Sequence, residues 1–236
     1  MGPSVGPSLG PSLGPSLGQR AVAEVVGTAL LVAAVVGSGI AASRLSPDDV
    51  GLQLLENSLV TGAALVALIL TLQSVSASFN PVVTLVERAL GRIGTTTALV
   101  LIGAQVVGGA LGAVVANLMF DLSAVSVSTH DRSGGPLWLA EVVASLGLVL
   151  IVFGTVLSER PETVAYAVGG YITAAYWFTS STSFANPAVT IARTLSDTFA
   201  GIAPASAPAF VLCQVVGGAL GLALVSYLFR SPRPTR

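Results

Sequence analysis

The sequence predicts an all-α membrane protein with six transmembrane helices, two half-helices and an internal inverted repeat. Of its 236 residues, 53% are hydrophobic and only 9% are charged, whereas soluble domains carry about 25% charged residues. An Asn-Pro motif within residues 79–84 recurs within residues 185–190. Further motifs surround the two copies in the same order, which indicates a duplicated fold.

The two ends of the chain differ in composition from its middle. Residues 1–18 are degenerate copies of Gly-Pro-Ser-Leu or Gly-Pro-Ser-Val. Gly and Pro disfavour regular secondary structure, and the repeats offer little apolar surface to bury, so we expect a disordered tail. No basic segment precedes an apolar stretch there, so a cleaved signal peptide is not predicted. The membrane domain is expected over residues 19–230, followed by a C-terminal tail at 231–236.

Apolar stretches mark the predicted helices. A spanning helix needs about 20 largely apolar residues. Six stretches qualify, at roughly 20–42, 52–73, 95–120, 136–158, 163–182 and 207–230. Two shorter stretches, 80–90 and 186–196, follow the Asn-Pro motifs. At 1.5 Å per residue each would cross only about half of a ~30 Å hydrocarbon core, so half-helices are predicted.

Each half-helix has a clear start signal. Asn is a preferred N-cap and Pro is favoured at the first helical position. Asn80-Pro81 and Asn186-Pro187 therefore predict abrupt helix starts in the interior of the membrane domain.

The repeats extend about 20–120 and about 136–230. Glu24 in the first span corresponds to Glu141 in the fourth, and Gln-Val-Val-Gly-Gly-Ala-Leu-Gly occurs in the third span and again in the sixth. Three spans per repeat is an odd number, so the second copy crosses the membrane upside down, an arrangement that indicates a substrate path at the midplane. The repeated Gly-x-x-x-Gly spacing predicts close helix contact, which we expect between the two halves.

Arginine counts predict the orientation. With both termini in the cytoplasm, seven arginines are inside and three outside. The inside set is Arg20, Arg88, Arg92, Arg160, Arg230, Arg233 and Arg236, and the outside set is Arg44, Arg132 and Arg193.

The opposed half-helices predict a pore. If their N-termini meet, two partial positive charges face one passage and repel cations. The side-chain amides of Asn80 and Asn186 can donate hydrogen bonds to a passing oxygen. Small neutral solutes, rather than ions, are therefore the predicted cargo, and residues 19–230 form the channel domain.

Together these motifs resemble the major intrinsic proteins, the aquaporins and aquaglyceroporins, over essentially residues 20–230. The resemblance implies that the motif residues Asn80, Pro81, Val82, Asn186, Pro187 and Ala188 line the pore centre. It also implies a multi-pass protein of a bacterial plasma membrane, with the lipid bilayer and small neutral solutes as partners, a homotetrameric assembly and no cofactor or metal.

The family resemblance also indicates the selectivity filter. Where the family usually has Arg after Asn-Pro-Ala, this chain has Val189. The second-span position falls on Thr61, or on Val60 if the preceding loop carries no deletion; counting back from Asn186, the others fall on Ala174 and Ser183. Such a ring is small and uncharged, which disfavours strict water selectivity.

Polar residues near the second motif leave two interpretations open. Arg193 lies one turn beyond Val189 on the same face, where it either lends charge to the pore mouth or anchors the half-helix in the outer vestibule. The polar run 179–183 is expected to line a wet vestibule.

Val at the arginine position and Thr in the second span are similar to the aquaglyceroporins encoded with bacterial arsenic-resistance genes. That similarity implies a passive conduit for arsenous acid, methylated trivalent arsenic and glycerol-like polyols in arsenic detoxification. The residues themselves indicate only small uncharged solutes larger than water. A general glycerol/water channel is the alternative.

Ion-coupled secondary transport is a less favoured alternative. Glu24 and Glu141 could relay protons, but a structural role toward the half-helix loops is preferred because no other ionisable group in the spans completes a relay. An enzyme is not predicted, since the sequence has one His and one Cys and no metal-spaced or nucleophile-base cluster. His130 is expected in a solvated loop and Cys213 in packing; the net charge of -1 gives no hint of nucleic acid.

Overall fold

The computed structural model describes residues 14–229, and the structure of this part of the chain is entirely helical and irregular. Its α-helices are Leu17–Leu45 (α1), Val50–Leu72 (α2), Pro81–Ala89 (α3), Thr95–Met119 (α4), Gly135–Leu157 (α5), Val164–Phe178 (α6), Pro187–Ala192 (α7) and Ala207–Leu228 (α8). The first four form repeat one and the last four form repeat two, in the same order, which confirms the predicted fold class.

The start of α1 differs from the expected boundary of the N-terminal tail. Ser16 caps this helix through a capping box with Gln19, so Leu17 and Gly18 already belong to its first turn. The remainder of the predicted tail up to residue 13, and the predicted C-terminal tail at 231–236, lie outside the described residues.

Within residues 14–229, five helices are long and apolar enough to cross a membrane. The sixth, α6, has only 15 residues and ends at Phe178, four residues before the predicted end of this span. At 1.5 Å per residue it covers about 22 Å. A 3₁₀ turn at Pro161–Thr163 precedes it and adds about 6 Å, so the two together approach the ~30 Å hydrocarbon thickness.

The half-helices α3 and α7 begin as the sequence predicts. Asn80 and Asn186 are their N-caps, and a proline occupies the first helical position of each. The two elements differ in length. Nine residues form α3, whereas α7 has six residues and continues into a 3₁₀ turn at Arg193–Leu195.

The Gly-x-x-x-Gly pairs pack helices within each repeat, so the expectation that they join the two halves is wrong. A Cβ at Gly108 or Gly112 would lie 2.4 or 2.2 Å from carbonyl oxygens of α1, and one at Gly217 or Gly221 would meet α5 in the same way. These glycines let α4 approach α1 and α8 approach α5 at backbone contact distance.

Contacts between the repeats use other glycines. Gly62 of α2 lies against Gly169 of α6, where an added Cβ would come within 3 Å of the other helix's carbonyl. Gly109 of α4 lies close to the backbone of α7, and Gly218 of α8 contacts Val82 of α3. Each half-helix is thus packed against a long helix of the opposite repeat, with its N-terminus directed to the molecular centre.

Candidate functional site

The two Asn-Pro motifs meet at the centre of the molecule through reciprocal hydrogen bonds. Asn80 Nδ2 donates to the Ala185 carbonyl at 2.8 Å, and Asn186 Nδ2 donates to the Phe79 carbonyl at 2.7 Å. Phe79 and Ala185 both have φ of 48°, a left-handed conformation that is uncommon outside glycine. Each bond joins one repeat to the other, so the two half-helix ends hold each other in place.

The same asparagines cap their own half-helices. Asn80 Oδ1 accepts from the backbone N–H of Val82, and Asn186 Oδ1 accepts from those of Ala188 and Val189. An amide nitrogen carries two hydrogens, and one on each asparagine is used by the bond across the repeats. The second remains available to a molecule in the adjoining cavity, where the two positive helix ends also point.

Glu24 supports the first motif from α1. Its carboxylate accepts from the Ser76 hydroxyl at 2.5 Å, the Ser78 N–H at 2.9 Å and the Phe79 N–H at 2.7 Å. Gln105 of α4 supplies a fourth hydrogen bond at 2.8 Å. The carboxylate is buried, so these donors replace the water that it has lost.

Glu141 supports the second motif from α5 in the same way. It accepts from the Ser181 hydroxyl at 2.6 Å and from the N–H groups of Phe184 and Ala185 at 3.0 and 2.9 Å. Gln214 of α8 donates the fourth hydrogen bond at 2.6 Å. Both acids therefore hold the loop that precedes a half-helix, and their lone pairs are occupied.

A cavity runs between the repeats past both asparagines. Its empty space, including the part that is open to solvent, is about 720 Å³. Its lining is mostly aliphatic and comes from α1, α2, α5, α6 and the two motif segments: Leu31, Val35, Thr61, Leu65, Ile69, Ala77, Ser78, Phe79, Asn80, Val83, Leu148, Val152, Val164, Val168, Ile172, Tyr176, Ser183, Phe184, Asn186, Val189 and Arg193. The helices α3 and α7 point toward each other from opposite sides, so the cavity has two ends. We call the end on the side of α3 the Ser78 end and the end on the side of α7 the Arg193 end.

Three of the four predicted filter residues line the cavity. Thr61, Ser183 and Val189 are all buried and line the cavity. Val60, the alternative to Thr61, is 44% exposed and points away from it.

Ala174, the fourth predicted filter residue, does not line the cavity, so that prediction is corrected. The lining residues of α6 recur every four positions and end at Ile172 and Tyr176. Ala174 is two positions from each, about 200° around the helix, and lies exposed on the outer face. Tyr176 occupies the cavity wall instead, and its hydroxyl lies 3.1 Å from Thr61 Oγ1.

A fixed count back from Asn186 placed the α6 position on Ala174, two residues from the lining face. The loop that this count crosses, residues 179–185, is irregular and has left-handed φ values of 59° and 50° at Thr182 and Ser183. The four-residue spacing of bulky residues from Val164 to Tyr176 was the available signal for the correct face.

Only part of the polar run 179–183 reaches the cavity, which corrects the expectation that it all lines a vestibule. Thr179 bonds back to the Ala175 carbonyl, and Ser181 bonds to Glu141. Ser183 alone lines the cavity. Its hydroxyl is buried without a hydrogen-bond partner, so it can bind a solute.

Arg193 both anchors the half-helix and lines the cavity. The two roles that the sequence left as alternatives for this side chain are therefore compatible. It is 2% exposed and lines the cavity. Its Nε donates to the Ala200 carbonyl, and its guanidinium carbon lies 3.4 Å from the centre of the Phe184 ring. Within residues 14–229, no hydrogen bond from its Nη groups to a protein acceptor is found.

The loops beyond the Arg193 end are tied together by a second arginine. Arg132 donates to the carbonyls of Gly201 and Phe199 at 2.8 and 3.3 Å. Nearby, Asp197 accepts from the backbone N–H of Thr129 at 2.8 Å and from its hydroxyl. These bonds lower the pKa of the exposed Asp197 carboxyl, which stays ionised at neutral pH and keeps the loops joined.

The single histidine and cysteine lie away from this site. His130 is exposed in the loop before α5 and Cys213 is half-buried in α8. Among the residues that the structure describes, no three His, Cys, Asp or Glu side chains are close enough to hold a metal ion.

Comparison with known proteins links this architecture to one family. The family model described as major intrinsic protein matches residues 14–163. The chain is 48% identical over 217 residues to "Aquaglyceroporin AqpS" of Rhizobium meliloti (strain 1021), covering 92% of each chain. The fold is similar to the X-ray structure of the aquaglyceroporin from Plasmodium falciparum, with a TM-score of 0.70, 17% identity and coverage of 93% of this chain and 98% of that one.

Proposed function

The chain belongs to the major intrinsic protein family, and on this basis we propose that it conducts arsenous acid, methylated trivalent arsenic and glycerol-like polyols passively across a bacterial plasma membrane. A passive channel for glycerol and other small solutes is the function that the family and the aquaglyceroporin relatives support. The arsenic cargo, the cytoplasmic position of both termini and a homotetrameric assembly belong to the proposal.

The small side chains that line the Arg193 end of the cavity are the main support for this proposal. Val189 lines the cavity one turn beyond Asn186, at the position where the family usually has Arg. An isopropyl group is smaller than an arginine side chain and leaves more room for a solute. Thr61 and Ser183 add hydroxyl groups without charge. A neutral molecule with several hydroxyls fits such a wall better than an ion, because a charge would lose its hydration there.

The aliphatic walls favour the same class of solute. Between its polar ends, the cavity is lined by paired stripes that the two repeats supply in equivalent places: Leu31 and Val35 on α1, and Leu148 and Val152 on α5. Glycerol has a carbon backbone for such a surface and hydroxyls for the asparagines. Arsenous acid is a neutral tri-hydroxy molecule of similar size at pH 7, so it offers the same groups.

Ion-coupled transport is disfavoured by the state of the two buried acids. Coupling needs a carboxylate that can bind and release an ion. Glu24 and Glu141 each accept four hydrogen bonds from protein donors, so neither offers a free oxygen to a sodium ion or a proton.

Solute entry into proteoliposomes tests the proposal. We expect stopped-flow light scattering to report entry of glycerol and arsenous acid down their own gradients, at unchanged rates when ionophores collapse the proton and sodium gradients. Protein-free liposomes are the control. Strict dependence on either ion gradient would contradict a channel, and glycerol entry without arsenous acid entry would leave the general glycerol/water channel as the function.

A further inference from the structure

We propose that Arg193 supplies the fixed positive charge of the filter, one helical turn farther out than the position that Val189 occupies. The inference rests on the proposed filter at the Arg193 end. It goes further in assigning cation exclusion to a residue outside the expected ring. In this view the replacement of Arg by Val at 189 widens the pore without removing its charge.

The orientation of Arg193 is fixed from two directions. Its Nε is held by the Ala200 carbonyl, and the flat guanidinium lies over the Phe184 ring at 3.4 Å from the ring centre. Phe184 is itself fixed by an edge contact with Phe210, at 5.2 Å between ring centres. An arginine that is stacked and hydrogen-bonded in this way is preorganised and loses little further freedom when it binds a solute.

Arg193 lines the cavity, and part of its guanidinium is uncommitted. Nε is committed to Ala200, while the Nη groups make no hydrogen bond to a protein acceptor in the described part of the chain. A guanidinium has five donors, so several remain for a solute oxygen. Its described protein contacts, a carbonyl and an aromatic ring, are uncharged. Arg132 and Glu141 act on it at longer range, but no acid forms an ion pair with it in the described part of the chain. In a low-dielectric passage that charge repels a cation far more strongly than it would in water.

The opposite repeat has a different residue at the equivalent place. Arg193 stands seven residues after Asn186, and Glu87 stands seven residues after Asn80. Glu87 is half-buried and accepts from the Ser78 hydroxyl at 3.1 Å. The two half-helices thus carry an arginine and a glutamate at matching positions, and among the described residues that line the cavity Arg193 is the only basic one.

Sodium leak through proteoliposomes tests this assignment, with glycerol flux measured on the same vesicles. We expect R193Q to raise sodium permeability by about tenfold or more, because the unscreened charge is lost, while glycerol still enters. R132Q is the matched control: its guanidinium lies 5.2 Å from the same Phe184 ring without lining the cavity, so it should stay sodium-tight. Moving the charge back, in V189R/R193Q, should restore exclusion.

R193H provides a second measurement in one folded protein. The imidazole is charged at low pH and neutral at high pH, and Arg132, Glu141 and Tyr176 are the ionisable groups that act on this position. We expect R193H to leak sodium at high pH, and any change in the leak with pH to be absent from the unaltered protein. Three results would overturn the assignment: a sodium-tight R193Q, a leak in R132Q equal to that in R193Q, or an R193H that stays sodium-tight at high pH. Absence of glycerol flux in the unaltered protein would instead count against the proposed function.

Discussion

The two half-helices occupy equivalent places but differ in the residues that follow their shared motif. Both begin at an asparagine that bonds across to the other repeat, and both are preceded by a loop that a buried glutamate holds. The helices themselves differ. α3 has nine residues, includes Glu87 and ends at Ala89, whereas α7 has six residues and is followed by a 3₁₀ turn that begins at Arg193. The duplicated residues specify the fold, and the unduplicated ones give the two pore ends different chemistry.

One extra residue accounts for part of that difference. The serines that bond to the glutamates are four residues before Asn80 but five before Asn186. The longer loop takes left-handed conformations at Thr182 and Ser183, which brings the Ser183 hydroxyl to the cavity. The one-residue difference between the two loops thus accompanies an unbonded serine hydroxyl at the Arg193 end, whereas the Ser78 hydroxyl at the other end is bonded to Glu87.

The largest expected effect comes from removing the carboxylate that holds the loop before each half-helix. E24Q and E141Q each replace an acceptor oxygen with an NH₂ group that faces buried donors. We expect each variant to lose about 3 kcal/mol or more of stability, since every unsatisfied buried donor costs about 1–3 kcal/mol. Thermal unfolding in detergent would measure it. The two losses should be similar, and wild-type stability in either variant would contradict an equivalent role for the two acids.

Narrowing the Arg193 end is expected to have the next largest effect. V189R adds a long charged side chain at the pore wall, so glycerol flux should fall by about tenfold or more, corresponding to a barrier increase of about 1.4 kcal/mol, while water flux falls less. V189L is the control for size without charge and should lose much less glycerol flux. Equal losses of water and glycerol in V189R would mean that Val189 does not line the constriction.

Bulky substitutions separate residues that line the pore from their neighbours. T61W should reduce methylated-arsenic flux before it reduces water flux. V60W and A174W should leave both fluxes near wild type, because these positions face outward. The readout is stopped-flow scattering with each solute. A block by V60W or A174W that matched the block by T61W would reverse the assignment of faces on α2 or α6.

Removing single hydroxyls should have the smallest effect. S183A deletes a buried hydroxyl that has no protein partner, so loss of one solute hydrogen bond of about 1 kcal/mol predicts roughly fivefold slower glycerol flux. S78A is the matched change at the other end, where the hydroxyl is already bonded to Glu87. It should have less effect on flux, and a larger effect of S78A would place the limiting step at the Ser78 end.

The sequence alone predicts the parts of the molecule that depend on local signals. Composition reveals the spans, and the N-cap and first-turn chemistry of Asn-Pro reveals where each half-helix begins. Duplication makes these signals more reliable, because Glu24 and Gln105 recur as Glu141 and Gln214 with the same partners. The predictions of fold class and family, which the structure and the comparisons confirm, rest on residues that occur in both repeats.

Features that occur once, or that depend on loop conformation, could not be predicted in the same way. Ala174 was wrong because a fixed count back from Asn186 crosses an irregular loop and does not identify the face of α6 that lines the cavity, and Tyr176 was missed for the same reason. Gly108 and Gly217 indicate close packing but do not identify the helix that they approach. The position of the Arg193 guanidinium over Phe184 is a tertiary contact without a local sequence signal.

A comparative flux panel on the unaltered protein tests whether it is a passive channel for small neutral solutes larger than water. Water, glycerol, urea and arsenous acid would be measured in the same proteoliposomes. The small side chain of Val189 at the pore wall predicts that glycerol and arsenous acid both enter well above the protein-free rate, at a substantial fraction of the water rate. Water conduction with no entry of glycerol or arsenous acid would contradict the account.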